Sequence, residues 1–165
     1  MSCVAVKITE DKIEFAADSI AVINSTNISK AVGARKLEKI NDMIIGGSGY
    51  VSEIESLFVY AESHQPFDKS IRAMREFFYE FSTWKQSKGQ KFDTDSDFII
   101  AYKGKVFSLF GSALTEIKQY SAIGAGYQYA LAALYLGHTA KEAVKVSCVL
   151  DCFVAEPIVN ICMDK

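Results

Sequence analysis

The sequence predicts an α+β fold, a four-layer αββα sandwich of two antiparallel sheets between helix layers, with residues 1–165 forming a single domain. Two observations carry that expectation. The periodicities run in the order strands, two helices, strands, two helices, strand, where a doubly wound parallel sheet would alternate strands and helices singly. Each helix pair also carries an apolar stripe that needs a sheet face, and each sheet then needs a second layer. Half of the residues are hydrophobic, enough for one sizeable core, and no repeat, low-complexity segment or linker divides the chain.

Cys3 to Thr9 alternates loosely, Glu10-Asp11-Lys12 turns, and Ile13 to Asp18 returns, so a hairpin opens the chain. A polar stretch, Asn24 to Ser29, separates it from Lys36-Leu37-Glu38-Lys39-Ile40. After Asn41-Asp42, the apolar Met43-Ile44-Ile45 ends in Gly46-Gly47-Ser48-Gly49. Val51, Ile54, Leu57, Phe58 and Ala61 recur at helical spacing, and Gln65-Pro66 stops that helix. Ile71, Met74, Phe77, Phe78 and Phe81 mark a second helix capped by Asp68, whose aromatic stripe suits core packing or a symmetric interface. Lys85 to Asp97 reads as a loop. Phe98–Tyr102 and Val106–Phe110 form a hairpin, and Leu114–Ile123 continues as strand to Gly124-Ala125-Gly126. Helices follow over about Tyr127–Leu136 and Thr139–Leu150, the latter with a Thr139/Glu142 capping box, and Ile158–Met163 closes as a strand.

Several function classes are excluded. The net charge of −2 with scattered Lys and Arg argues against nucleic acid, and no apolar run reaches the roughly 18–20 residues of a membrane span. The start lacks the pattern of a signal peptide, so a cytoplasmic protein is expected, its four cysteines reduced and packed. Walker, Gly-x-Ser-x-Gly and His-Glu-x-x-His motifs are missing, and no cofactor or metal is expected. His64 and His138 sit at turn positions and read as exposed loop residues rather than catalytic bases. What remains is the N-terminus. Once Met1 is trimmed, Ser2 places a hydroxyl and a free α-amine on one residue, and an α-amine with pKa near 7.7–8.0 can act as a base at neutral pH.

Three blocks in register resemble the proteasome β-subunit and HslV (ClpQ) family of N-terminal-nucleophile hydrolases. Ser2-Cys3-Val4-Ala5-Val6 through Ala16-Ala17-Asp18 resembles its opening hairpin, with the acid sixteen positions after the nucleophile. Lys36-Leu37-Glu38-Lys39-Ile40 with Ile44-Ile45-Gly46-Gly47-Ser48-Gly49 is similar to its Lys-bearing strand and glycine turn. Ala122-Ile123-Gly124-Ala125-Gly126-Tyr127-Gln128-Tyr129-Ala130 resembles the segment before its third helix.

The resemblance implies a peptidase in which Ser2 is the nucleophile and its α-amine the proton acceptor. Lys36 would favour the alkoxide, Asp18 would hold Lys36 charged, and the Gly46 or Gly47 N–H would bind the oxyanion. Ala21, Ile44 and Ser48 are the implied substrate contacts. Polypeptide substrates, a homo-oligomeric single or double ring of hexamers or heptamers, and a separate AAA+ ATPase follow from the same likeness. The chain also departs from the pattern. Serine replaces threonine, Ala125 stands where the family has a serine, and Leu150-Asp151-Cys152-Phe153 only loosely meets the family's Asp or Gly followed by Ser or Cys at the end of the fourth helix. About two extra residues between Asp18 and Lys36 make Arg35 a rival for the cation. A structural ion pair is the alternative for Asp18 and Lys36, a tight turn for Gly46 and Gly49, and a catalytically silent ring subunit for the whole chain.

Overall fold

The computed structural model describes residues 2–20, 22–23, 26–27 and 34–165. Its strands are β1 (Val4–Ile8), β2 (Lys12–Asp18), β3 (Val22–Ile23), β4 (Thr26–Asn27), β5 (Leu37–Ile40), β6 (Met43–Ser48), β7 (Asp97–Tyr102), β8 (Lys105–Phe110), β9 (Ala113–Ile117), β10 (Tyr120–Ile123) and β11 (Ile158–Asp164). The helices are α1 (Val51–Ala61), α2 (Ile71–Ser87), α3 (Tyr127–Tyr135) and α4 (Ala140–Leu150). One sheet runs β10-β1-β2-β11, a second β5-β6-β7-β8-β9, and β3 pairs only with β4. All pairings are antiparallel.

Alternation along the strands assigns each side chain to one of three apolar layers. Val4, Val6, Phe15, Ile44 and Ile99 fill the space between the sheets. Met43, Ile45, Phe98 and Phe107 turn the other way onto α1 and α2, where Phe77, Phe78 and Phe81 are core and not interface. Ala5, Ala16 and Ala122 meet Ala130, Ala133, Ala140 and Ala143, so small residues bring α3 and α4 close to the first sheet. These three layers are the interfaces of the expected four-layer sandwich.

Four local expectations are revised. The cap of α2 is Ser70, which accepts from Ala73 N–H, while Asp68 accepts from Ser70 N–H one step earlier. That helix continues to Ser87, so Lys85 is helical and buried. Its ammonium pairs with Glu53 on α1 and reaches the Asp93 carbonyl at 3.1 Å. The segment read as one strand from Leu114 to Ile123 is two, β9 and β10, which lie in different sheets. Finally, only Cys3 of the thiols is fully packed, and Cys152 and Cys162 are exposed. Among the described residues no helix is long and apolar enough to cross a membrane.

Candidate active site

Strand β1 starts just after Ser2 and β2 ends at Asp18. Their register, Val4 opposite Ala17, returns the chain so that Asp18 faces Cys3. One backbone bond and one carboxylate lock this junction. Asp18 N–H donates to the Cys3 carbonyl at 3.1 Å, and Cys3 N–H donates to Asp18 Oδ1 at 2.8 Å. Asp18 Oδ2 accepts from Ile20 N–H at 3.2 Å and from Lys36 Nζ at 2.8 Å. Ser2, Asp18 and Lys36 are all buried, at 2%, 1% and 5% exposure.

Burial is the largest influence on Lys36 and lowers its pKa below the ordinary lysine value, while the charge and hydrogen bond of Asp18 pull it back up. Cys3, beside them, is a thiol pushed up to about 12, chiefly by desolvation. It stays a neutral S–H directed at Ser147 Oγ, 3.4 Å away. Arg35, the rival cation, is exposed, paired with Glu55 and Glu38, and lies over the Phe58 ring. Of the two cations, Lys36 is the one that pairs with Asp18.

The loop after β10 closes the other side. Gly126 N–H donates to the Ser2 carbonyl at 3.2 Å. Gly124 has φ +93°, and a Cβ there would stand 2.3 Å from the Ser2 carbonyl oxygen and 2.8 Å from Ser48 Oγ. Glycine is therefore required by both backbone conformation and space. Beneath the loop, fully buried Ser147 donates to the Gly126 and Ala143 carbonyls at 2.9 and 3.2 Å. Sequence reasoning places Gly124 in the third block without a role and does not reach Ser147. The available signal was a hydroxyl on the apolar stripe of α4, which otherwise reads Ala140, Ala143, Val144.

Other expected positions fall differently. Gly46 lies inside β6, paired on both sides with Leu37 and Ile99. Its Cα faces Val4, and a Cβ would meet that side chain at 2.6 Å. Gly47 faces Ile54 and Phe98 instead, and its N–H already donates to the Lys36 carbonyl at 2.8 Å. Neither glycine offers an open strand edge to an oxyanion. The Ile44 side chain is wholly buried between the sheets and withdrawn from any peptide. Ser48 is buried beside Gly124, and Ala21 lies outside the described residues. His64 stacks on Tyr60 at 4.1 Å and His138 approaches Glu142 at 3.6 Å, both away from this cluster. Among the described residues no group of three metal-ligating side chains converges.

No protein-family model matches the chain, and no curated protein does. Solved structures do match its architecture. BPH from Thiobacillus denitrificans superposes with TM-score 0.87 at 18% identity, covering 98% of this chain and 97% of its own. Eukaryotic HslV from Trypanosoma brucei gives 0.76 at 19% identity, with 99% of each chain covered. Anbu, an ancestral β-subunit from Yersinia bercovieri, gives 0.73 at 13% identity over 99% of this chain and 81% of its own. The fold is thus the proteasome-type sandwich that the three blocks of sequence resemble.

Proposed function

We propose that this chain, which shares its fold with HslV and BPH, is a peptidase subunit whose nucleophile is the Ser2 hydroxyl after removal of Met1. The observation that carries the reading is the Asp18 carboxylate, which binds both the main chain next to Ser2 and the buried Lys36 ammonium. A purely structural ion pair has no need also to hold the main chain beside a buried serine. In the proposed reaction the Ser2 oxygen attacks the peptide carbonyl carbon and its proton passes to the α-amine, which returns it to the leaving amine as the C–N bond breaks; water then hydrolyses the Ser2 ester. Lys36 stabilises the alkoxide, and Asp18 keeps Lys36 charged despite its burial. With Gly46 and Gly47 inside the ladder, the proposed oxyanion donor is the Ser48 main chain, because the Ser48 hydroxyl and the Ser2 carbonyl both crowd Gly124. Such a donor contributes about 2.7–4 kcal/mol. A ring assembly facing these sites inward, and an ATPase partner to unfold substrates, belong to the same proposal. No nucleotide motif is present in the chain to do that work itself.

An epoxyketone tests it. One of the BPH structures is a complex with epoxomicin. Intact mass should show Met1 absent and a single adduct, mapped to Ser2. A protein that keeps Met1 and takes up no adduct defeats the proposal. Ala125, where a supporting hydroxyl would be expected, favours a second reading as a silent ring subunit. On that reading Ser2→Ala protein matches the wild type in every peptide-cleavage assay.

A further inference from the structure

The apolar filling between the sheets stops short of their shared edge. Between β8, β9 and β10, with α3 above, lies a cavity of about 400 Å³, the size range of small-ligand sites. Its walls are mainly apolar, from Phe110, Ile117, Ile123 and Leu131, with the hydroxyls of Ser108 and Thr115 among them. One charged side chain lines it. Asp97, the first residue of β7, accepts only a long 3.4 Å bond from Gly111 N–H and pairs with no cation among the described residues. Burial raises its pKa, opposed only by the Gly111 bond.

The nearby cations are used elsewhere. Lys105 and Lys118 both pair with Glu116, and alternation along β9 puts Glu116 on the face opposite Thr115 and Ile117. A carboxylate at an apolar cavity without a counter-ion is poorly solvated, and a cation on an apolar body would complement both features. We propose that this cavity binds a guanidinium or ammonium group carried on an apolar stem, with Asp97 as its counter-ion. Gly124 lines the cavity and presses on the Ser2 carbonyl, so the site adjoins the candidate nucleophile. The cation has two sources: a Lys or Arg residue of a peptide substrate, which rests on the proposed peptidase, or a free organic amine, which does not.

Butylguanidine, a guanidinium on a four-carbon apolar stem, is the probe, titrated by calorimetry into Ser2→Ala protein so that turnover plays no part. Saturable binding should weaken at least about 10-fold in Asp97→Asn, the loss expected for a hydrogen bond to a charged group. Thr115→Phe, at an exposed position of an edge strand, should block the cavity and abolish binding while leaving the melting temperature unchanged. No binding to the parent protein, or equal binding to both variants, overturns the proposal. In a second arm, peptides carrying Arg or norleucine after the scissile bond are compared on active enzyme. A kcat/KM preference for Arg that disappears in Asp97→Asn assigns the site to substrate. Butylguanidine binding with indifferent peptides assigns it to a free organic cation.

Discussion

Replacing Asp18 by Asn keeps the shape of the side chain and removes its charge. Asp18 Oδ1 and Oδ2 together accept three donors, from Cys3, Ile20 and Lys36. The Asn amide must turn its NH2 toward at least one of them, setting donor against donor, and Lys36 is left buried at 5% exposure without a counter-ion. Removing one partner of a buried pair costs about 3–5 kcal/mol. In a domain of this length each kcal/mol lowers Tm by about 2–4 °C, so a fall of about 6–20 °C is expected. Lys36→Met should be milder, because the carboxylate then retains two amide donors. The double variant Asp18→Asn/Lys36→Met should be more stable than the two single losses sum to, since it leaves no unpaired ammonium. Urea unfolding at several protein concentrations measures the cycle and separates any contribution from assembly. Additivity within about 0.5 kcal/mol would refute the claim that these groups act as one buried unit.

The same pair sets the alkaline limb of the proposed activity. The ammonium form of Lys36 is lost as pH rises through a pKa already below the ordinary lysine value. Asp18→Asn removes the influence that raises it, so kcat/KM should begin to fall at lower pH than in wild type, and an unmoved limb argues against Lys36. Gly124→Ala should cost about 3 kcal/mol or more in chemical unfolding, because its Cβ meets the Ser2 main chain. Gly89→Ala, with φ +79° but open space around it, should cost only about 1–2 kcal/mol. Iodoacetamide at pH 8 should label Cys152 and Cys162 and spare Cys3 and Cys148, whose thiols are pushed up to about 12 and about 11. Peptide mapping by mass spectrometry reads the pattern, and rapid labelling of Cys3 in folded protein would contradict it. Lys85→Met leaves Glu53 buried with only the Asp95 N–H. Hydrogen exchange should then accelerate across residues 89–96, and unchanged protection there would show that the pair does not hold the loop.

The layers were legible because burial on both faces imposes a rule on the central strands β1, β2, β6 and β7. Val4 and Val6 must differ in surroundings from Cys3 and Ala5, as Ile44 must from Met43 and Ile45, and the sequence obeys it throughout. The break at Lys118-Gln119 was not legible. No Gly or Pro marks the point where the chain leaves one sheet for the other, and partner choice is a tertiary matter. Nor could a Gly46-Gly47 pair reveal which residue faces β1, since neither has a side chain to report its side. Polar residues in core-facing positions were the best guide to the site. Asp18 follows Ala16-Ala17, Lys36 precedes Leu37, and Ser147 interrupts the stripe of α4, and all three are buried and bonded near Ser2. The same rule applied to Glu53 and Lys85 also finds a buried, bonded pair, but one that ties α1 and α2 to the loop before β7. Burial of a charge therefore identifies a network that the fold must satisfy, whatever its use. The two networks differ in that Asp18 also binds the main chain beside Ser2, the residue proposed to supply both hydroxyl and amine.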